Sequence, residues 1–556
     1  MAARLHRASV ILAFALAVPA VAGAPPSAPD EEARIVHALN RLAYGPRPGD
    51  VEAVRAVGLD RWIDRQLRPE KIPDPGVERH LAALVTVRLS SSDLMRGYEL
   101  PPEARKEIQR RRAQLGENAS EEELRNTRTE LVAKYRQQMK GEPRQVLDEL
   151  QEAKVLRAVY GERQLDEVLV DFWMNHFNVY AQKGQDRFLV GEYEREVIRP
   201  HAWGRFEDLL RATAESPAML FYLDNWLSAA PTVGPPAASR RPGGFGRFPG
   251  GAAARRGLPP SGQAATRKRG LNENYAREVM ELHTLGVDGG YTQKDVTELA
   301  RVFTGWTIRG LAQQRPEFFF DARLHDPGDK VVLGEAVKAA GKAEGDRMIH
   351  RLATHPSTAR FISLKLCRRF VADDPPPALV GRAASTFIES RGDIRAVVRT
   401  IVTSAEFLAP QTRAAKVKTP LEFVVSAVRA AEAQVDDASS LARRIAAMGM
   451  PLYLQQPPTG YGDRADAWVS TSGLVARLNF ALDLAAGRLP GVRTDVASLA
   501  PEAPDADALQ GALAARLVPG GLSDSTRQTL AREAGSGLDP FRLAGLILGS
   551  PEFQRR

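Results

Sequence analysis

The chain of 556 residues contains one cysteine, Cys367, so no internal disulfide can form. A protein of this length has enough core to stand without cross-links, even outside the reducing cytoplasm. Cys367 lies inside Phe361-Ile362-Ser363-Leu364-Lys365-Leu366-Cys367-Arg368-Arg369-Phe370, which reads as a buried helical position and not as a reactive thiol. The nine histidines are scattered. There is no H-E-x-x-H, no C-x-x-C-H, no G-x-S-x-G and no phosphate-binding glycine loop. Zincin, c-type haem, serine-hydrolase and nucleotide-binding readings therefore have no motif to rest on. Long apolar runs are missing as well, apart from Ala8–Val21. That run is about 14 residues, against the roughly 20 a spanning helix needs. It follows Arg4 and Arg7 and precedes the small residues Ala20, Ala22, Gly23 and Ala24, the order of a secretory signal peptide. Met1–Ala24 is read as such a leader. No transmembrane helix is expected once it is cleaved, and the expected location is periplasmic or extracellular.

Acid is absent from 229–270, which carries Arg240, Arg241, Arg247, Arg255, Arg256, Arg267, Lys268 and Arg269. Setting these eight and the two leader arginines aside turns the net charge from +8 to −2. The basic surplus thus belongs to one Gly/Pro/Arg-rich segment, and the distributed basic footprint of a nucleic-acid binder is missing. Such a segment buries too little to offset its ordering entropy and is expected to be a disordered loop.

What remains is mostly α and multi-helical, with at most a short β-hairpin near 317–334 around His325-Asp326-Pro327-Gly328-Asp329. Punctuation by Gly and Pro divides the chain into an N-terminal helical region, 25–228, and a central helical region, 271–410. A C-terminal helical region, 411–490, and a small helical tail, 506–556, follow. Val51–Leu67 reads as one helix weakened by Gly58. Residues 101–155, dense in Arg, Glu, Gln and Lys, read as a solvated helical arm. Val168–Phe177 is the most apolar and aromatic stretch and must be core. Thr292 and Asp295 have capping-box spacing. Ile401–Phe407 and Leu546–Phe553 echo one another.

The richest chemistry sits in Asn272–His283. On a helix, Asn274, Glu278 and Glu281 fall at i, i+4 and i+7 and line one face. Adjacent carboxylates could hold a metal or share a proton. The same segment also allows a salt-bridge ladder of Glu273, Arg277 and Glu281. Asp171, Asn175 and His176 form a second cluster in an apolar helix, where buried polar groups need partners. Two roles are therefore open. Glu278 and Glu281, with His176 and His283, could act as catalytic base and acid. Alternatively, Asp171, His176, Glu278 and Glu281 could ligate a divalent metal. Turn chemistry accounts for Asp326, Pro327 and Gly328 but not for His325 or Lys330.

These blocks together carry a resemblance. Leu39-Asn40-Arg41-Leu42-Ala43-Tyr44-Gly45-Pro46, Asp171–Asn178 and Asn272–Thr292 resemble a bacterial exported family catalogued as domain of unknown function 1800. Asp295-Val296, Thr304-Gly305-Trp306, His325-Asp326, Lys330, Lys418–Phe423 and Arg477–Phe480 continue the likeness over nearly the whole mature chain. Gly460-Tyr461 stands where the family usually shows Gly-Trp. The resemblance brings no reaction. It implies export and an association with a sulfatase-like exported partner. Two functions stay open: an exported enzyme built on these carboxylates and histidines, by metal-assisted hydrolysis or acid–base chemistry, or a non-catalytic scaffold for that partner.

Overall fold

A computed structural model of the chain describes residues 28–116, 120–231, 270–496, 503–534 and 539–556. The leader and nearly all of the basic 229–270 segment lie outside the described residues. The protein is mostly α, with three two-stranded antiparallel sheets among the described residues.

The first helix, Ala28–Leu42, buries Ile35, Leu39 and Leu42, a stripe at helical spacing. It stops at Gly45, whose φ of 84° lies in the left-handed region. The single helix expected over Val51–Leu67 is two, Asp50–Val57 and Leu59–Gln66, broken where Gly58 takes a φ of 87°. In the expected arm, helices Pro102–Leu115 and Glu121–Tyr135 pack chiefly on each other. The solvated reading fails beyond residue 142. Helix Pro143–Tyr160 buries Val146, Leu147, Leu150 and Ala153, because its polar residues flank a continuous apolar stripe.

Helix Gln164–His176 sits in the core and buries Val168, Leu169, Phe172, Trp173 and His176. Trp173 packs on Phe206 at a tilt of 42°, and His176 meets Phe177 edge to face. Residues 317–334 do hold strand, but the two strands there pair outward. Trp306–Arg309 pairs with Glu317–Phe320, and Lys330–Val332 pairs with Glu335–Val337. The second hairpin turns at Leu333 and Gly334, both at positive φ, the turn whose twist matches the strands.

Helix Pro356–Phe370 packs on the segment after Met280 and on Pro377–Glu389. Thr471–Ala485 and Pro540–Leu548 cross closely at Gly545, where a Cβ would stand 2.9 Å from Leu482 Cα. The echo of Ile401–Phe407 in Leu546–Phe553 is one turn used twice. Ser404 Oγ accepts from Phe407 N (3.1 Å) and Ser550 Oγ from Phe553 N (3.3 Å), and each buries its Phe. One apolar core runs from Ile35 to Phe553.

Candidate functional site

Helix Gln164–His176 presents Asp171 and Asn175 one turn apart. Asp171 pairs with Lys154 at 2.7 Å. Asn175 is clipped to the 450–468 loop by two bonds: its Nδ2 donates to Tyr461 O (2.9 Å), and its Oδ1 accepts from Tyr461 N (2.7 Å). Only glycine fits beside it. Gly460 has a φ of 70°, and a Cβ there would lie 2.2 Å from Asn175 O. In the same loop Tyr453, at a φ of 61°, donates from its hydroxyl to Glu194 Oε2 at 2.5 Å. Burial pushes the Glu194 carboxyl up, but Arg199, Lys154 and Arg157 overcome that and hold it at about 2.

His176 is buried at the end of this helix. Its Nε2 lies 3.1 Å from His283 O, and its Nδ1 lies 2.8 Å from Lys365 Nζ. A carbonyl only accepts, so Nε2 carries the proton and Nδ1 accepts from the lysine. Burial, then Lys365 and His283, keep the His176 ring neutral, far below its ordinary range. Burial and Lys365 likewise drive His283 down to about 3, and its Nε2 has no hydrogen-bond partner among the described residues. Burial lowers the Lys365 amine to about 8, with Asp463 opposing and Arg368 reinforcing. Lys365, Arg368, Asp171, Asn175, Tyr461 and Asp463 line a cleft of about 180 Å³. A lysine poised near neutral pH beside a neutral imidazole can take and return a proton. Sequence reasoning missed Lys365. The signal available was a lone lysine in the apolar run Ile362–Cys367.

The other expected residues do not join this cleft. After Met280 the chain widens into a π-turn, Glu281–Leu285, seen in Gly286 N donating to Glu281 O at 3.1 Å. The α-helical wheel therefore misplaces Glu281 and His283. Asn274 is exposed. Burial and then Glu281 raise the half-buried Glu278 carboxyl. Glu281 accepts from the Tyr291 hydroxyl at 2.5 Å, Arg277 bonds Gln293, and Glu273 bonds Gln293 and Thr297. Among the described residues no three His, Cys, Asp or Glu side chains gather closely enough to hold a metal ion. Asp171, His176, Glu278 and Glu281 thus do not meet as ligands, because Asp171 turns to Lys154 and His176 to Lys365.

His325 and Lys330 meet on Glu344, which the sequence did not single out. His325 Nε2 lies 3.0 Å from Glu344 Oε1, and Lys330 Nζ donates to Glu344 Oε2 at 2.6 Å, with Lys330 and Glu344 side chains fully buried. Asp326 pairs with Arg301 through both oxygens, at 2.9 and 3.0 Å. Asp295 caps its helix and accepts from Leu333 N at 2.6 Å. These groups tie the two hairpins to the helices.

The fold and cleft define a helical protein with a half-buried lysine on a buried histidine at a small polar opening. The chain belongs to the family described as protein of unknown function (DUF1800), whose model matches residues 37–555. No curated protein and no solved structure matches it. Among the described residues no helix is long and apolar enough to cross a membrane.

Proposed function

We propose that this chain is an exported enzyme that carries out acid–base chemistry on a small polar substrate, with Lys365 as the group that moves the proton. The observation that carries this reading is the Lys365–His176 contact of 2.8 Å at the wall of the cleft. Among the described residues Lys365 forms no ion pair: its amine donates to His176 Nδ1, while Asp171 of the same cleft pairs with Lys154. His176 holds the amine in place, and Asp463 supplies a facing negative charge. Acid–base chemistry is favoured over metal-assisted hydrolysis because the carboxylates and histidines are spread over separate partners. The export half rests on Met1–Ala24, and sequencing the N-terminus of the released protein tests it.

Cyanate, a small reagent that carbamylates neutral amines, tests Lys365 directly. Peptide mass spectrometry across a pH series should show Lys365 modified ahead of the exposed Lys106 and Lys294, with a midpoint of about 8. A Lys365 that stays unmodified, or that titrates with the surface lysines, overturns the reading.

A second reading, an accessory role toward an exported sulfatase-like partner, is favoured by the helical pair Pro102–Leu115 and Glu121–Tyr135, which packs chiefly on itself and presents charge outward. Deleting 103–135 should then abolish co-purification with such a partner while leaving the thermal transition of the rest in place. Unchanged co-purification rejects it.

A further inference from the structure

One turn after Lys365, Arg369 enters a buried cluster of positive charge. Arg41, Arg369, Lys418, Arg477 and Arg556 are each at most 4% exposed. Among the described residues the one buried carboxylate beside them is Glu422, which bonds Arg369 Nη1 and lies 3.0 Å from Arg556 Nε. Even with a terminal carboxylate at Arg556 counted, cations are in excess. The remaining bonds go to backbone carbonyls and one hydroxyl. Arg41 Nη2 donates to Thr412 O (2.7 Å), Arg477 Nη2 to Lys418 O (2.8 Å), and Lys418 Nζ to Ser426 Oγ (3.0 Å). Arg41 Nε and Nη1, Arg369 Nη2, and Arg477 Nε and Nη1 are buried without a hydrogen-bond partner among the described residues. Buried donors and charges left this way are costly, and a folded protein keeps such a cluster when something compensates it.

Against the cluster lies a cavity of about 360 Å³, within the roughly 300–1,000 Å³ range of ligand pockets. Its polar lining includes His37, Arg413, Lys418, Arg555 and Arg556, with Asn40 and Ser426. Neither ring nitrogen of His37, 4% exposed, has a hydrogen bond of ordinary geometry among the described residues. Glu552 also borders the cavity, but its carboxylate is taken by Ser523 N and Thr526 Oγ1. Arg413 reaches Asp30 through Nη2 at 2.6 Å and leaves Nε unpartnered. The apolar lining includes Val36, Leu517, Val518 and Phe553, whose ring centre lies 3.9 Å from Lys418 Nζ. Four distant parts of the chain build the site, one of them the 517–521 segment that carries Leu517 and Val518. The first helix supplies His37, the segment before Pro420 supplies Lys418, and residues 554–556 lie antiparallel on 416–418.

We propose that this cavity binds a small organic anion, its carboxylate or phosphate headgroup on Lys418, Arg413 and Arg556 and its apolar body against Val36, Leu517 and Phe553. Burial drives Lys418 down to about 7 and Arg556 to about 10, as expected where cations outnumber anions. An anion entering here favours the charged form of Lys418, while Arg556, at about 10, is charged at neutral pH with or without it. The site does not depend on the Lys365 reading, since Lys365 does not line this cavity.

Calorimetric titration of the full chain at fixed ionic strength tests it, with octanoate, octyl phosphate and the neutral octanamide as probes. At least one of the two anions should bind, and octanamide should bind at least about tenfold more weakly than that anion. Which anion binds tells a carboxylate ligand from a phosphate one. Lys418→Met should weaken binding about tenfold or more. Arg413→Gln, which gives up only the partly exposed Asp30 pair, should weaken it several-fold while shifting the thermal transition by no more than a few degrees, which keeps the test decisive if Lys418→Met does not fold. Lys365→Met should leave anion binding unchanged. No heat with either anion up to about 10 mM, or binding equal to octanamide, or indifference to Arg413→Gln, overturns the proposal.

Discussion

At the scale of single residues, the decisive partners are far apart in sequence. Glu344 illustrates this. Its oxygens hold His325, Lys330 and the backbone N–H groups of Ala340 and Gly341, and its side chain is fully buried. Glu344→Gln leaves Lys330 as a buried cation facing a neutral amide. Removing one partner of a buried pair typically costs about 3–5 kcal/mol, and urea unfolding should show a loss of that order. Adding Lys330→Met should recover most of it, because an apolar chain needs no counter-charge there. A Glu344→Gln protein as stable as the parent would show that the pair is not carrying the fold. The sequence did show that turn chemistry leaves His325 and Lys330 unexplained. It did not show Glu344, because no spacing rule links a residue in a hairpin to one in the next helix. Lys365 was hidden for the same reason. Its partner His176 lies 189 positions earlier, and a lysine in an apolar run looks like a snorkelling side chain until the packing is seen.

At the scale of elements, what was legible is what is local. The capping box at Thr292 forms as its spacing predicts, with Thr292 Oγ1 accepting from Asp295 N (3.3 Å) and Asp295 Oδ2 from Thr292 N (2.8 Å). The amphipathic stripes of Ala28–Leu42 and Ile394–Val402 are where the period puts them. The π-turn after Met280 was not legible, since one extra residue per turn leaves the composition unchanged and shifts every later side chain. It ends at Gly286, with φ 80° and ψ 167°, a conformation open essentially to glycine alone, and a Cβ there would stand 2.9 Å from Phe361 Cδ2. Phe361 lies one turn before Lys365 on the helix that forms the cleft. Gly286→Ala should therefore cost roughly 1–3 kcal/mol in backbone strain alone. It should also displace the Pro356–Phe370 helix enough to slow cyanate modification of Lys365. Both effects are measurable on one sample. A destabilised variant with unaltered Lys365 reactivity would separate the turn from the cleft.

At the scale of the whole molecule, buried charge and neutral imidazole decide the response to acid. Glu194 and Glu422 are both held at about 2, below the ordinary carboxylate range, by neighbouring cations that outweigh burial. Their contribution is complete above the unfolded carboxylate pKa and is lost only as pH falls from there toward 2. Histidine acts in a higher window. His283 sits at about 3 in the fold, for which burial is the first cause and Lys365 the second, while an unfolded chain protonates it near 6.5. A depressed folded value means the stability it allows is present above 6.5 and is lost as pH falls toward 3. Between pH 7 and 5 the loss for one such histidine is about 2 kcal/mol. Other buried groups, Glu152 at about 7 and Asp166 at about 6, take up protons in the fold over the same range and push the other way, so total stability is a poor readout. The difference between two proteins is a clean one. His283→Leu removes a ring whose Nε2 has no partner and leaves an apolar group against Phe177, 5.0 Å away ring to ring. Relative to the parent, the variant should gain about 2 kcal/mol of unfolding free energy on going from pH 7 to 5. Parallel urea titrations at the two pH values measure this. A constant difference would mean that His283 keeps an ordinary pKa in the fold, and the low-dielectric pocket that tunes Lys365 would have to be given up with it.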